Sequence, residues 1–130
     1  MTTVIYASIL SILMCWLSLN VIKLRWKYKV RYADGDCLEL QIARSAQSNA
    51  VDYIPITLIL LFALEYNGGN FWLLHIIGIT FVIARVLHYR SILADQLKGR
   101  ILGMKMTLGV IITLAVLNLL YLPYSELFSF

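Results

Sequence analysis

The residues of this chain that could do chemistry lie in two short runs inside otherwise apolar segments. The first is Arg44-Ser-Ala-Gln-Ser-Asn49-Ala-Val-Asp52-Tyr53-Ile-Pro55. At 3.6 residues per turn, Ser45, Asn49 and Asp52 fall within about 60° of one another, and Tyr53 lies beside Asn49, so the polar groups form one stripe. The second run carries Arg85, His88 and Tyr89, neighbours at i, i+3 and i, i+4. An arginine within an apolar run costs roughly 2.5–3.5 kcal/mol on insertion scales, so Arg85 requires an anion, a carboxylate partner or the headgroup region. Two readings stand side by side: Arg85 snorkels or pairs with Asp52 to hold a bundle together, or it forms an anion site for a ligand carboxylate. A cleft combining Asn49, Asp52, Tyr53 and Arg85, with Arg100 or Lys98 in reach, suits a small zwitterion with several carboxylates. Guanidinium would take carboxylate, carboxylate would take ammonium, and the amide and phenol would take the remainder. If such a ligand carries a thiol, an arginine or phenol donor near sulfur favours the nucleophilic thiolate.

The elements that must position these groups are set by composition. Of 130 residues, 61% are hydrophobic and 14% charged, with a mean hydropathy of +0.80. A soluble domain this short cannot bury so much apolar surface, so the solvent is lipid. Four apolar runs, at about 4–24, 38–66, 71–92 and 102–122, are each long enough to cross roughly 30 Å of hydrocarbon as a helix. They are too continuously apolar for the alternating strands of a barrel. The expectation is a single all-α domain, an integral membrane four-helix bundle. Polar stripes on so thin a bundle would face lipid unless a second copy covered them, which predicts oligomerisation.

Charge sets the orientation. The basic residues Lys23, Arg25, Lys27, Lys29 and Arg31 alternate through KLRWKYKVR, and a second basic group runs from Arg85 to Lys105 through an expected loop. The Asn67-Gly68-Gly69-Asn70 turn between them has no basic residue. This distribution predicts a multi-pass membrane protein with both termini on the outer side, which is the periplasm in a bacterial inner membrane. The formal charge of +4 therefore reflects membrane topology, and no nucleic-acid partner is expected. Cys15 and Cys37 make neither a disulfide framework nor a metal spacing. No metal site is expected. The amino end has no positive n-region and no small-x-small pattern, so an uncleaved anchor is expected. Pro55 removes an amide donor and is expected to kink the second helix after its polar stripe.

Taken together, Asp34-Gly35-Asp36, Asn49-x-x-Asp52-Tyr53-x-Pro55, Glu65-x-x-Gly68, Ala84-Arg85-x-x-His88 and Arg100-x-x-Gly103-x-x-x-Thr107 occur in an order and spacing that covers nearly the whole chain. In these the sequence resembles the MAPEG family, the membrane-associated proteins in eicosanoid and glutathione metabolism, particularly its small bacterial members. The resemblance implies a homotrimer binding glutathione as cofactor between adjacent subunits near the cytoplasmic side. Conjugation or peroxide reduction on a hydrophobic small molecule or lipid is then the expected activity. A non-catalytic glutathione- or lipid-binding membrane protein is the alternative. By position, the resemblance implies that Arg44, Asn49, Asp52, Tyr53, Arg85 and His88 bind glutathione and that Arg100 stabilises the thiolate. The family's usual arginine four residues before the asparagine is replaced by Ser45, with Arg44 one residue earlier on a different side of the helix. Ile92 stands where a later tyrosine is usual.

Overall fold

The computed structural model describes residues 1–127 and contains α1 (Thr2–Tyr28), α2 (Leu38–Tyr66), α3 (Phe71–Leu93), α4 (Leu97–Leu120) and a short α5 (Tyr124–Leu127). The first four are each long and apolar enough to span a membrane. Their outward faces carry Ile9, Ile12, Leu19, Ile59, Phe62, Ile76, Ile79, Ile83, Ile112 and Val116, all exposed, as a lipid-facing surface requires. Among the described residues α1 and α4 do not touch, whereas α2 and α3 contact each other and both outer helices. The cross-section is therefore a rhombus with α2 and α3 on its short diagonal.

Inward packing follows helical spacing. On α2 the buried positions are Leu40, Ala43, Ala46, Ala50, Ile54, Thr57, Leu61 and Leu64, steps of three and four that keep one stripe inside. Alanines fill the half of that stripe nearest the basic end, so neighbouring backbones approach there. Branched side chains fill the other half, where Leu61 and Leu64 meet Leu10, Leu74, Ile77 and Phe81 in one core. Gly78 gives a tight crossing: a Cβ there would lie 2.4 Å from the Tyr6 ring.

Both ends of the bundle are tied down by polar contacts. At the end without basic residues, Glu65 of α2 accepts the backbone N–H groups of Thr2 and of Thr3, the latter at 2.9 Å, which satisfies two open donors of the first turn of α1. Beside it, the Tyr6 hydroxyl lies 2.6 Å from His75 Nδ1, in keeping with a packing role for His75. Asn70 caps α3 through the amides of Trp72 and Leu73. At the basic end, α1 stops at Lys29, whose left-handed φ of 55° lets the amide of Val30 return to the Arg25 carbonyl at 3.0 Å. Gly35 then passes against Val30 at a φ of +56°, where a Cβ would meet Val30 Cγ2 at 2.7 Å.

Two expectations need correction. The run KLRWKY belongs to α1, which continues to Tyr28 because alternating bases and aromatics hold a helix at the headgroup level. The second basic group is not a loop: α4 starts at Leu97, so Lys98, Arg100 and Lys105 are helical. The helix α2 contains Pro55 within its range of Leu38 to Tyr66, and the Thr57 hydroxyl donates to the Tyr53 carbonyl at 2.7 Å.

Candidate functional site

The two polar runs meet where α2, α3 and α4 converge near the basic end. Arg85 is 1% exposed, and its side chain reaches across the bundle from α3. Its Nη2 donates to Asn49 Oδ1 on α2 at 2.6 Å, and its Nη1 donates to Thr107 Oγ1 on α4 at 3.4 Å. The Thr107 hydroxyl in turn donates to the Gly103 carbonyl at 2.9 Å, so its lone pairs are left for the guanidinium. Of the two readings of Arg85, the pairing with Asp52 does not form. Asp52 is exposed, and among the described residues no carboxylate lies within ion-pair distance of Arg85. Asn49, one turn earlier on the same stripe, occupies that position instead. Arg85 Nε is buried without a hydrogen-bond partner.

One turn further along α3, His88 is 3% exposed, and its Nδ1 donates to the carbonyl of Arg100 at 2.9 Å. A carbonyl can only accept, so Nδ1 carries the proton; Nε2 is buried with no partner. This contact depends on a close approach of α4. A Cβ on Gly103 would lie 2.8 Å from His88 Cβ and 2.9 Å from its Cα and N, so glycine permits the crossing that brings the Arg100 carbonyl over the ring. At Gly99 the same face gives way to Ser91 Oγ, 2.1 Å from a hypothetical Cβ.

Beside these buried groups opens a polar cleft of about 620 Å³, lined by Asp34, Gln41, Arg44, Ser45, Gln47, Ser48, Asn49, Asp52, Ile92 and Arg100. The size is that of a small-molecule site. Of the residues singled out in the sequence, Arg44, Asn49, Asp52 and Arg100 share this wall. Arg85 and His88 stand behind it, with Asn49 as the link between Arg85 and the open space. The half-buried Tyr53 is not part of the lining. Although Arg44 sits on a different side of α2 from Ser45, its side chain reaches the cleft and lies 3.9 Å from Asp34 Oδ2. Ser45 Oγ is returned to the Gln41 carbonyl at 2.9 Å.

Several contributors were given no binding role from the sequence. Asp34 belongs to the 29–37 connection and enters through its pair with Arg44; Gln41 and Ser48 extend the α2 stripe by one turn and one step. Gln47 binds Ser18 Oγ of α1 at 3.0 Å. Thr107, visible in the spacing after Arg100, gained its role only from the inward tilt of α4. The described residues include no cluster of His, Cys, Asp and Glu able to hold a metal.

Chemically, the arrangement sets an unneutralised guanidinium behind a polar wall that carries two further guanidinium groups and two carboxylates, Asp34 paired with Arg44 and Asp52 exposed. The model of the MAPEG family matches residues 3–120. The inner membrane protein YecN of Escherichia coli K12 is 36% identical over 129 residues, covering 99% of this chain and 98% of that protein, and the YecN of Escherichia coli O6:H1 strain CFT073 matches to the same extent. On a match that spans all four membrane-crossing helices, the chain belongs to the MAPEG family.

Proposed function

We propose that the cleft binds glutathione and that the protein is a glutathione-dependent transferase or peroxidase acting on small hydrophobic electrophiles from the bilayer. The observation that carries this reading is Arg85: a buried cation held by two neutral oxygens, with no carboxylate partner among the described residues and an unsatisfied Nε. A charge so placed is best balanced by an anion supplied from the cleft. Arg44 would take a carboxylate of the tripeptide, and Asp52 its ammonium group. Asn49 would transmit the field of Arg85 to the bound molecule. In the transfer reaction Arg100 would hold the sulfur as thiolate while an S–C bond forms and the leaving group departs with the bonding electrons.

The reading extends to the assembly and its setting. A neighbouring copy could complete the wall of the open cleft, and the reading includes a homotrimer. All Lys and Arg residues lie in the half of the bundle that holds the 29–37 and 94–96 connections, which favours the cytoplasmic side of an inner membrane for that half and the periplasm for both termini. The pairing of Arg44 with Asp34 favours a second reading, a protein that binds glutathione without turning it over.

Purified protein given glutathione and a chlorinated nitroaromatic acceptor separates these. Conjugate above the blank supports the enzyme. Saturable glutathione binding without conjugate supports the binding protein, and absence of glutathione binding removes both.

A further inference from the structure

The outer face of α1 carries two adjoining concavities that the glutathione reading does not use. The first, about 500 Å³, is lined by Arg25, Trp26, Lys29, Val30 and Arg31 at the end of the helix. Its shape is held by the chain itself: Arg25 Nη1 donates to the carbonyls of Val30 and Arg31, each at 3.4 Å, folding residues 29–31 back over the last turn. No acid lines it. Of the acids that follow in sequence, Asp34 pairs with Arg44 at 3.9 Å and Glu39 with Lys27 at 3.6 Å, and the exposed Asp36 is not part of the lining. Arg25, Lys29 and Arg31 thus present three cations to one space, with no carboxylate partner among the described residues.

The second concavity, about 610 Å³, continues along the same face and is lined by Trp16, Leu19, Asn20, Ile22, Lys23 and Trp26. Trp26 is 81% exposed and belongs to both. Trp16 closes the far end by packing on Tyr89 of α3, with ring centroids 5.6 Å apart. From Trp16 to Trp26 the helix rises about 15 Å, which is half of a hydrocarbon core of about 30 Å and so the depth of one leaflet.

We propose that this face is a specific site for an anionic glycerophospholipid, with the phosphate diester among Arg25, Lys29 and Arg31 and an acyl chain along the Trp16–Trp26 groove. A free anion would use only the basic end, and a neutral lipid only the groove. The contiguity of the two at Trp26 selects a molecule that is both anionic and apolar. The site stands apart from the α2–α3–α4 cleft and does not depend on what that cleft binds.

Native mass spectrometry of the protein in a neutral detergent tests this, with added dioleoyl phosphatidylglycerol, its dihexanoyl analogue, dioleoyl phosphatidylcholine or inorganic phosphate. The double variant Lys29→Gln/Arg31→Gln spares Arg25, whose backbone bonds shape the site. It is expected to bind dioleoyl phosphatidylglycerol about tenfold more weakly, whereas Arg90→Gln/Lys105→Gln, which removes the same charge elsewhere at the basic end, retains it. The variant Trp16→Ala/Leu19→Ala is expected to narrow the preference for the dioleoyl over the dihexanoyl lipid. Equal losses in the two charge variants, equal binding of phosphatidylcholine, or displacement by phosphate at matched concentration would overturn the proposal. So would a change in the number of subunits per particle with lipid retained, which would assign the face to a second copy of the chain.

Discussion

Asn49 and Arg85 are joined across the bundle by a 2.6 Å hydrogen bond, so an amide oxygen, rather than a carboxylate, holds the buried guanidinium. The bond is charge-assisted and shielded from water, and its removal leaves a donor with no alternative. Asn49→Leu is expected to destabilise the protein by about 2 kcal/mol, whereas Asn49→Asp, which restores an acceptor, recovers most of that loss. Unfolding by denaturant in mixed micelles measures both; equal stabilities for Leu and Asp at this position would show that Arg85 does not depend on it.

Arg85→Ala removes the charge behind the cleft and frees the Asn49 amide that lines it. Glutathione binding is expected to weaken about tenfold or more, while Lys105→Ala, an exposed cation on α4 outside the cleft, leaves it unchanged. Calorimetric titration of the two variants decides this, and comparable losses would remove Arg85 from the site.

Gly103 and Gly109 lie on the same helix and make opposite predictions. A methyl at Gly103 meets His88 backbone and Cβ at 2.8–2.9 Å, so Gly103→Ala is expected to cost about 1–3 kcal/mol and to separate the Arg100 carbonyl from His88. Nothing lies within 4 Å of a methyl at Gly109, where Gly109→Ala is expected to stabilise by up to about 1 kcal/mol through helix propensity. Thermal melts of the pair give the signs directly.

At the opposite end, Tyr6→Phe deletes the hydroxyl that meets His75 and keeps the ring that packs on Gly78. A cost of about 1 kcal/mol is expected, with the cleft unaffected. A loss of glutathione binding in this variant would mean that the two ends are coupled.

The long apolar runs made the four spans legible, and α2 has the bounds expected from its sequence because Cys37 and Asn67 flank a continuous helical pattern. The start of α4 was less legible. Lys98, Gly99 and Arg100 read as a loop by hydropathy, yet Gly99 and Gly103 are the residues that let α4 pack on Ser91 and His88. The partner of Arg85 was illegible for a related reason. Asn49 and Asp52 are one turn apart on one stripe, and periodicity cannot say which meets α3; the distance between helices decides it. The family motifs did bring Asn49, Asp52, Arg85, His88 and Arg100 to one end. Their division into a buried layer and an open layer came from burial, which no linear spacing encodes.

Glu65 fastens the first turn of α1 from more than sixty residues downstream. The amides of Thr2 and Thr3 therefore have no protein partner until the second helix has crossed the bilayer in the opposite direction. A chain whose second helix failed to cross, or crossed the wrong way, would leave those donors open and the acid stranded. The contact thus acts as a topological proofreader: it rewards only the antiparallel hairpin, and it makes the stability of the first span a property of the correctly inserted pair.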